Sequence, residues 1–289
     1  MMSRMVLEDM LTQWGYEVVS VEDGSRAMDI LSEDNCPKLI ILDWMMPGLD
    51  GLEICRKVRA QVEKPYVYIL LLTSKKQKAD LVEAMEAGAD DFISKPPDRN
   101  ELEMRLRAGK RIITLQDELR HQTTHDFLTG SLNRFAIIGL LEKEMNRATR
   151  QDHALSISMV DIDLFKHIND NFGHQSGDAV LCEVVERVKL SLRSYDGVGR
   201  YGGEEFLLIF PNSSNKDALD VAEKVRSAIS SKPISMPNGT VSVTISLGVS
   251  TLYPKKNDDM DTFIKSADEA LYAAKKNGRN RVEVAKIRR

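Results

Sequence analysis

Four acidic residues lie in two short stretches that are far apart in the sequence but alike in setting. Asp161 and Asp163 end the apolar run "ALSISMVDID", and Glu204 and Glu205 follow two glycines in "RYGGEEFLLIF". Carboxylates brought together from the ends of neighbouring strands form an oxygen-rich site suited to Mg²⁺ or Mn²⁺. Phosphates bridged by such a metal and attacked by a hydroxyl are typical of nucleotidyl transfer. A solvated acidic hairpin tip is the plainer alternative.

The two glycines before the glutamates predict a tight hairpin. A two-residue turn at Gly202 and Gly203 would let both residues take positive φ, and it would clear the backbone for a phosphorylated ligand. Glu204 and Glu205 would then point to opposite faces of the returning strand, so that one of them faces Asp161.

The elements needed to position these acids follow from His125 onward. The turn and helix of "HDFLTGSLNRFAIIGLLEKEMNRATR" precede the strand "ALSISMVDID", and helices, a hairpin, a further helix and an alternating strand come after it. The order β-α-α-β-β-α-β predicts an α+β sandwich with an antiparallel sheet.

Four motifs in this half resemble the GGDEF family of diguanylate cyclases, in its GGEEF form: "DFLTGSLNR", "DIDLFKHINDNFGHQSGD", "RYGGEEF" and "AKKNGRNRV". The resemblance implies a GGDEF domain over residues 125–289, with a nucleotidyl-cyclase palm and a ferredoxin-like core. It also implies that two such domains meet face to face and condense two GTP molecules into cyclic di-GMP, with release of two pyrophosphates. Ser131 departs from the family, which usually has an apolar residue there.

The same resemblance implies a role for individual residues. Asp161, Glu204 and the carbonyl of Ile162 would hold Mg²⁺ or Mn²⁺, Glu205 would be a further ligand or a proton acceptor, and Asp163 would be structural. A carboxylate suits guanine because it accepts from N1–H and the exocyclic amine together. The residues implied for GTP are Asn169 and Asp178 at guanine, Phe165, Lys166 and Gly203 near the phosphates, and the cations Lys275 and Arg279.

A separate tetrapeptide, "RSYD", precedes the hairpin. Its position matches the inhibitory product site of the family, which implies that Arg193 and Asp196 bind cyclic di-GMP. The plain alternative is a solvated helix end.

The first hundred residues alternate short apolar runs with helical segments. "YEVVSVED", "KLIILD", "YVYILLLTS" and "DDFISKP" are predicted strands. This alternation predicts a doubly wound α/β layer with a parallel sheet, whose ligand sites lie beyond the carboxyl ends of the strands. Those ends carry Asp43, Thr73 and Lys95.

This pattern resembles the flavodoxin-like receiver domain of response regulators, over residues 1–100. The resemblance implies Asp43 as phosphoacceptor, Thr73, Phe92 and Lys95 as switch residues, a cis Lys95–Pro96 bond and a histidine kinase as partner. The family's first strand and its acidic pair have no counterpart, because the sequence opens at "MMSRMVLEDML". Three explanations are open: the start of the sequence is misplaced or truncated, another copy of the chain or a partner supplies the strand, or the receiver is degenerate.

Residues 101–124 predict one long connecting helix. Ile112, Leu115, Leu119 and Gln122 are spaced as in a coiled-coil seam, which favours a homodimer. The alternative is a single amphipathic helix packed on its own receiver.

Composition sets the broad class. The chain has 289 residues and a formal net charge of −4, which argues against a nucleic-acid-binding protein. Cys36, Cys55 and Cys182 lack metal-site spacing, and no apolar run could span a bilayer, so we expect a cytoplasmic protein without membrane insertion. The predicted function is a receiver-regulated diguanylate cyclase with product inhibition. A non-catalytic GTP or cyclic di-GMP sensor, or another purine cyclase of this fold, is the alternative.

Overall fold

The structure, a computed structural model, describes residues 4–33, 35–61, 64–74, 78–237, 239–256 and 258–285. The chain divides into two compact units, Met1–Arg120 and His121–Arg289. No helix in the described ranges is both long and apolar enough to cross a membrane.

The first unit is built on a three-stranded parallel sheet in the order β1-β2-β3. β1 is Leu39–Asp43, β2 is Tyr68–Thr73 and β3 is Asp91–Ser94. Five helices accompany them: α1 (Arg4–Gln13), α2 (Gly24–Leu31), α3 (Gly51–Arg59), α4 (Lys78–Glu86) and α5 (Arg99–Thr124).

The central strand β2 explains the layering of this unit. All of its residues are buried, as expected for a parallel strand covered on both faces. Ile69 and Leu71 belong to the core cluster that contains residues of α2, α3 and α4, whereas Tyr68 and Leu70 pack with residues of α1 and α5. The predicted doubly wound architecture is therefore confirmed.

The predicted strand "YEVVSVED" is wrong. Residues 16–23 join no ladder, and β2 is the only strand paired with β1 in the described part of the chain. A strand is stabilised by the hydrogen bonds of its neighbour, so a β-rich pattern without a partner does not make one.

Helix α5 has two different halves. Leu102, Leu106 and Gly109 are buried in its first half, and a side chain at Gly109 would lie 2.6 Å from the ring of Tyr68. Glycine is therefore required where the helix packs on β2. In the second half the predicted seam is open: Ile112, Leu115 and Leu119 are 37%, 49% and 57% exposed.

The second unit has a five-stranded sheet in the order β10-β9-β4-β6-β5. β4 is antiparallel to β6 and β9, β5 is antiparallel to β6, and β10 is parallel to β9. The strands are β4 (Leu155–Ile162), β5 (Gly197–Gly202), β6 (Glu205–Pro211), the small hairpin β7 (Ile234–Met236) and β8 (Gly239–Val241), β9 (Ile245–Leu252) and β10 (Val282–Val284). The helices are α6 (Arg134–Gln151), α7 (Phe165–Phe172), α8 (His174–Ser191), α9 (Asn215–Ser230) and α10 (Met260–Lys276).

The four strands β9, β4, β6 and β5 are antiparallel, which confirms the predicted α+β fold, but the edge strand β10 is parallel, so the prediction of a wholly antiparallel sheet is wrong. The sheet is covered on both faces. One face packs against α8 and α9, and the other packs against α6 and α10. Helix α10 lies so close to β9 that a side chain at Gly248 would approach the Leu271 amide nitrogen to 2.1 Å. Strand β4 is buried along its whole length and ends beside the β5–β6 hairpin.

Candidate functional site

The end of β4 brings acidic residues together. Asp161 is opposite Glu205 of β6 and opposite Ser246 of β9. The pKa of Asp161 is raised to about 6, mainly by burial. The contact with Lys275 acts in the opposite direction, and the charges of Glu204 and Glu205 add to the rise. The Lys275 ammonium lies 2.7 Å from the Asp161 carboxylate. Two predicted site residues from distant parts of the chain are therefore in direct contact.

The hairpin is present, but its predicted turn is wrong in detail. The turn residues are Gly203 and Glu204, flanked by the paired residues Gly202 and Glu205, and of the two glycines only Gly203 has positive φ. A register shift between Arg200 and Gly202 causes the difference, because it adds one residue to β5. Glu204 therefore belongs to the turn and does not alternate with Glu205 along the strand.

The tip of the hairpin is fastened from two sides. The Ile162 amide donates to the Glu204 carbonyl at 3.3 Å, and the Arg200 guanidinium donates to the Gly203 carbonyl at 2.9 Å. Arg200 also forms an ion pair with Asp126 at 3.2 Å. Burial raises the pKa of Asp126, but hydrogen bonds from Thr129 and the Arg200 charge bring it below its ordinary value.

Sequence reasoning missed Asp126 and Arg200 as positioning residues. The signal that could have found them is a charged residue in each of the two motifs "DFLTG" and "RYGG". Neither motif by itself indicates that Asp126 and Arg200 form an ion pair with each other.

A cavity of about 460 Å³ adjoins the hairpin tip. It brings together six of the predicted residues: Phe165, Lys166, Asn169, Asp178, Gly203 and Glu204. It is also lined by His174, Leu181 and Arg200, which are not among the predicted ligand-binding residues.

Helices α7 and α8 meet at the cavity with little space between them. A side chain at Gly177 would come within 1.9 Å of the Asn169 amide oxygen and 3.2 Å of the Phe165 ring. Gly177 therefore allows Asn169 its position on the cavity wall.

The beginning of α7 has an unusual backbone. Leu164 precedes the helix in the left-handed conformation, with φ 56°, and its side chain is 56% exposed. This conformation is costly for a residue with a Cβ, and such strain is concentrated at functional sites. The amides of Phe165 and Lys166 open the helix, where backbone N–H groups lack helical partners and attract anions.

Asp163 is buried among hydrogen-bond donors. Its carboxylate accepts from the hydroxyls of Thr244 and Ser246, each at 2.7 Å, and from the amide of Asn280 at 3.0 Å. It does not line the cavity. Arg279, next to Asn280, is exposed.

Arg193 and Asp196 form a local pair at the surface. The Arg193 amide donates to the Asp196 carboxylate at 2.8 Å, and the Arg193 guanidinium donates to the Tyr195 hydroxyl at 3.0 Å. Burial raises the pKa of Asp196, although its contacts with Arg193 lower it.

In the first unit, the predicted receiver residues meet at the carboxyl edge of the sheet. Lys95 contacts the carboxylate of Asp43, and its amide donates to the Thr73 carbonyl at 2.8 Å. Thr73 is buried, and Phe92 packs against the core. The Lys95–Pro96 bond is cis, which confirms that prediction.

The acids at the end of β4 fit a hard divalent cation by their chemistry. No group of three or more His, Cys, Asp or Glu side chains forms a metal cluster within the described ranges. The donors available are the Asp161 carboxylate, the neighbouring Glu204 and Glu205, and backbone carbonyls. Oxygen donors of this kind suit Mg²⁺, which keeps several waters and takes further ligands from phosphates.

Comparisons with known families match both halves of the chain. Residues 123–281 match the family described as "Diguanylate cyclase, GGDEF domain", and residues 1–107 match "Response regulator receiver domain".

Individual proteins agree with these matches. The chain is 36% identical over 253 residues to the response regulator PleD of Caulobacter vibrioides, which covers 84% of this chain and 56% of PleD. It is 38% identical over 181 residues to the diguanylate cyclase DosC of Escherichia coli, covering 61% of this chain and 39% of DosC. The chain thus spans little more than half of the length of the first relative and less of the second.

A solved structure is also similar. The coiled coil and GGDEF domain of DgcB from Caulobacter crescentus, in complex with c-di-GMP, aligns with a TM-score of 0.58 and 31% identity. The alignment covers 64% of this chain and 99% of the DgcB chain.

Proposed function

The chain belongs to the GGDEF family, with a receiver domain ahead of the GGDEF domain, and we propose that it is a diguanylate cyclase regulated by that receiver. It would condense two GTP molecules into cyclic di-GMP and release two pyrophosphates. The observation that carries the proposal is a cavity that adjoins the acidic hairpin and is lined by the candidate guanine-binding residues Asn169 and Asp178.

Guanine recognition is assigned to α7 and α8. The Asp178 carboxylate accepts from N1–H and the exocyclic amine of guanine, a pair of donors that adenine does not present. Asn169 adds a side-chain amide that lines the same cavity. GTP is therefore the proposed substrate.

A second set of residues is assigned to the phosphates, at the other end of the nucleotide from guanine. The amides of Phe165 and Lys166 and the bare backbone of Gly203 lie near the phosphates, and Lys275 and Arg279 pair with their charge. Asp161, Glu204 and the Ile162 carbonyl would hold Mg²⁺ or Mn²⁺, which supplies charge neutralisation at the phosphates.

The reaction requires two domains, each with one GTP. The 3′-hydroxyl of one GTP attacks the α-phosphorus of the other, a new P–O bond forms, and the bond to the β-phosphate breaks to release pyrophosphate. Glu205 lies opposite Asp161 in the β4–β6 register and is proposed as the proton acceptor or a further metal ligand. Asp161, Glu204 and Glu205 are thus the proposed catalytic residues.

Regulation is assigned to the rest of the chain. Residues 1–100 would form the receiver, 101–124 the connecting helix and 125–289 the cyclase domain. The exposed side chains of Ile112, Leu115 and Leu119 support a homodimer through the second half of α5. A histidine kinase would phosphorylate Asp43, with Lys95, Thr73 and Phe92 responding, and cyclic di-GMP would inhibit at Arg193 and Asp196. The cytoplasm, which holds the GTP pool, is the expected compartment.

The test is to incubate the purified full chain with Mg²⁺ and GTP and to separate the products by chromatography. We expect cyclic di-GMP and two pyrophosphates per product, with an activity per molecule that rises with protein concentration. Asp161→Ala should abolish both products. If the chain binds GTP or cyclic di-GMP but forms no product, even in the Arg193→Ala variant that relieves inhibition, the proposed enzymatic activity is refuted and the chain is a sensor.

A further inference from the structure

The turn between α10 and β10 is strained. Gly278, Arg279 and Asn280 have φ angles of 111°, 58° and 48°, so three successive residues are left-handed. Glycine adopts this conformation readily and asparagine more easily than most L-residues, but Arg279 keeps it only where surrounding contacts impose it. The turn contains Arg279, one of the two cations assigned to the phosphates.

Two side chains from outside the turn hold Asn280 in place. The Asp163 carboxylate accepts from the Asn280 amide at 3.0 Å, and the Arg226 guanidinium donates to the Asn280 side-chain oxygen at 2.8 Å. Asp163 is buried and also accepts from the hydroxyls of Thr244 and Ser246. One carboxylate therefore connects the end of β4, the start of β9 and the strained turn.

Arg279 is available to a ligand. Its side chain is exposed, and among the described residues its guanidinium has no ion-pair partner. The backbone of the turn therefore sets where the Arg279 side chain begins, and its guanidinium is free to reach a ligand.

We propose that Asp163 is a positioning residue for the nucleotide: it clamps the turn of residues 278–281 and thereby presents Arg279 to the phosphates of GTP. The inference rests on the proposed function. Asp163 acts through Arg279 and touches no substrate, which distinguishes it from Asp161 two residues earlier.

The chemistry of the clamp predicts different results for two substitutions. Asp163→Ala leaves the Asn280 amide and two hydroxyls without their acceptor. In Asp163→Asn the side-chain oxygen still accepts from Asn280 and Thr244, and its NH₂ group donates to the Ser246 hydroxyl, which can reverse its role. The asparagine variant should therefore retain most of the clamp.

Nucleotide binding by the full chain tests the link to Arg279. The probes are 3′-deoxy-GTP, which lacks the attacking hydroxyl, and GMP, both titrated calorimetrically with Mg²⁺. Asp163→Ala and Arg279→Ala should each weaken 3′-deoxy-GTP binding about tenfold, and the double variant should be no weaker than Arg279→Ala alone. GMP binding should be unchanged, and Asp163→Asn should restore most of the affinity. If Asp163→Ala lowers the affinity for 3′-deoxy-GTP as much in the Arg279→Ala background as in the wild type, the proposal is overturned.

Hydrogen–deuterium exchange without nucleotide tests the clamp separately. Exchange in residues 277–282 should quicken in Asp163→Ala. Asp259→Ala is the matched control, because Asp259 also accepts an amide and a hydroxyl, both from Thr262 at the other end of α10. Unchanged exchange, or an equal change in both variants, would overturn the clamp while the proposed function stands. A wild-type chain that binds no 3′-deoxy-GTP would instead refute the proposed function and the role at the phosphates with it.

Discussion

The ammonium of Lys275 lies 2.7 Å from the carboxylate of Asp161. Asp161 is buried, and its pKa is raised to about 6 by that burial even though Lys275 lowers it. The residue proposed for the metal is thus paired with a residue proposed for the phosphates. In the nucleotide-free protein Lys275 supplies the positive charge that the buried carboxylate needs.

Replacing Lys275 should therefore destabilise the nucleotide-free protein. In Lys275→Met the Asp161 carboxylate loses its charged donor, and we expect the free energy of unfolding to fall by about 1–3 kcal/mol. Denaturant titrations with and without Mn²⁺ measure this, and Mn²⁺ should recover part of the loss. Lys276→Met is the control, because Lys276 lies over the Tyr272 ring on the same helix. Equal losses in both variants would contradict the prediction.

Replacing Gly177 should impair guanine binding. In Gly177→Ala the new methyl group would lie 1.9 Å from the Asn169 amide oxygen, so Asn169 must move away from its place on the cavity wall. Loss of its contact should weaken GTP binding by about 1–3 kcal/mol, which is roughly 5- to 150-fold. Calorimetric titration with 3′-deoxy-GTP measures the change. Gly139→Ala, at an open position in α6, should bind as the wild type does. Unaltered affinity in Gly177→Ala would show that Asn169 makes no contact with the base.

Replacing Arg193 should relieve product inhibition. Arg193 is exposed and held beside Asp196, so Arg193→Ala removes the guanidinium without opening the core. The cyclic di-GMP concentration for half-maximal inhibition should rise at least about tenfold, because a charge-assisted hydrogen bond is lost. Initial rates over a range of added cyclic di-GMP measure it. The exposed Lys216 gives the control Lys216→Ala, and inhibition curves that coincide for all three proteins would exclude this site.

His125 should make the stability of the second unit depend on pH. Its ring stacks on His121 with 3.9 Å between centroids, and burial, together with the His121 charge, lowers the pKa of His125 below its usual 6.5. The folded protein therefore favours the neutral ring, and this contribution is present above the unfolded pKa of about 6.5 and is lost as pH falls from there through the lower pKa of the folded protein. Unfolding temperatures measured between about pH 7.5 and 5.5 should fall more for the wild type than for His125→Gln. His153→Gln, at an exposed position, should follow the wild type; a His125→Gln profile that also follows it would contradict the assignment.

Much of the fold was predictable because its patterns are local. "KLIILD", "YVYILLLTS" and "DDFISKP" are apolar runs of strand length, and each of them contains a strand of the parallel sheet. "YEVVSVED" has a similar composition and forms no strand. The difference is a ladder partner, which no property of the segment itself supplies.

The candidate site, like the fold, was predictable only in part. The sequence by itself determined the order of the elements, the hairpin and the set of acids and cations, because periodicity and turn chemistry depend on near neighbours. Only the tertiary structure decided that Lys275 pairs with Asp161, that Arg200 joins Asp126 to the hairpin tip, and that Asp163 holds the turn at Asn280. These contacts join residues as many as 117 positions apart, so they follow from strand order and register, which are settled when the whole chain packs.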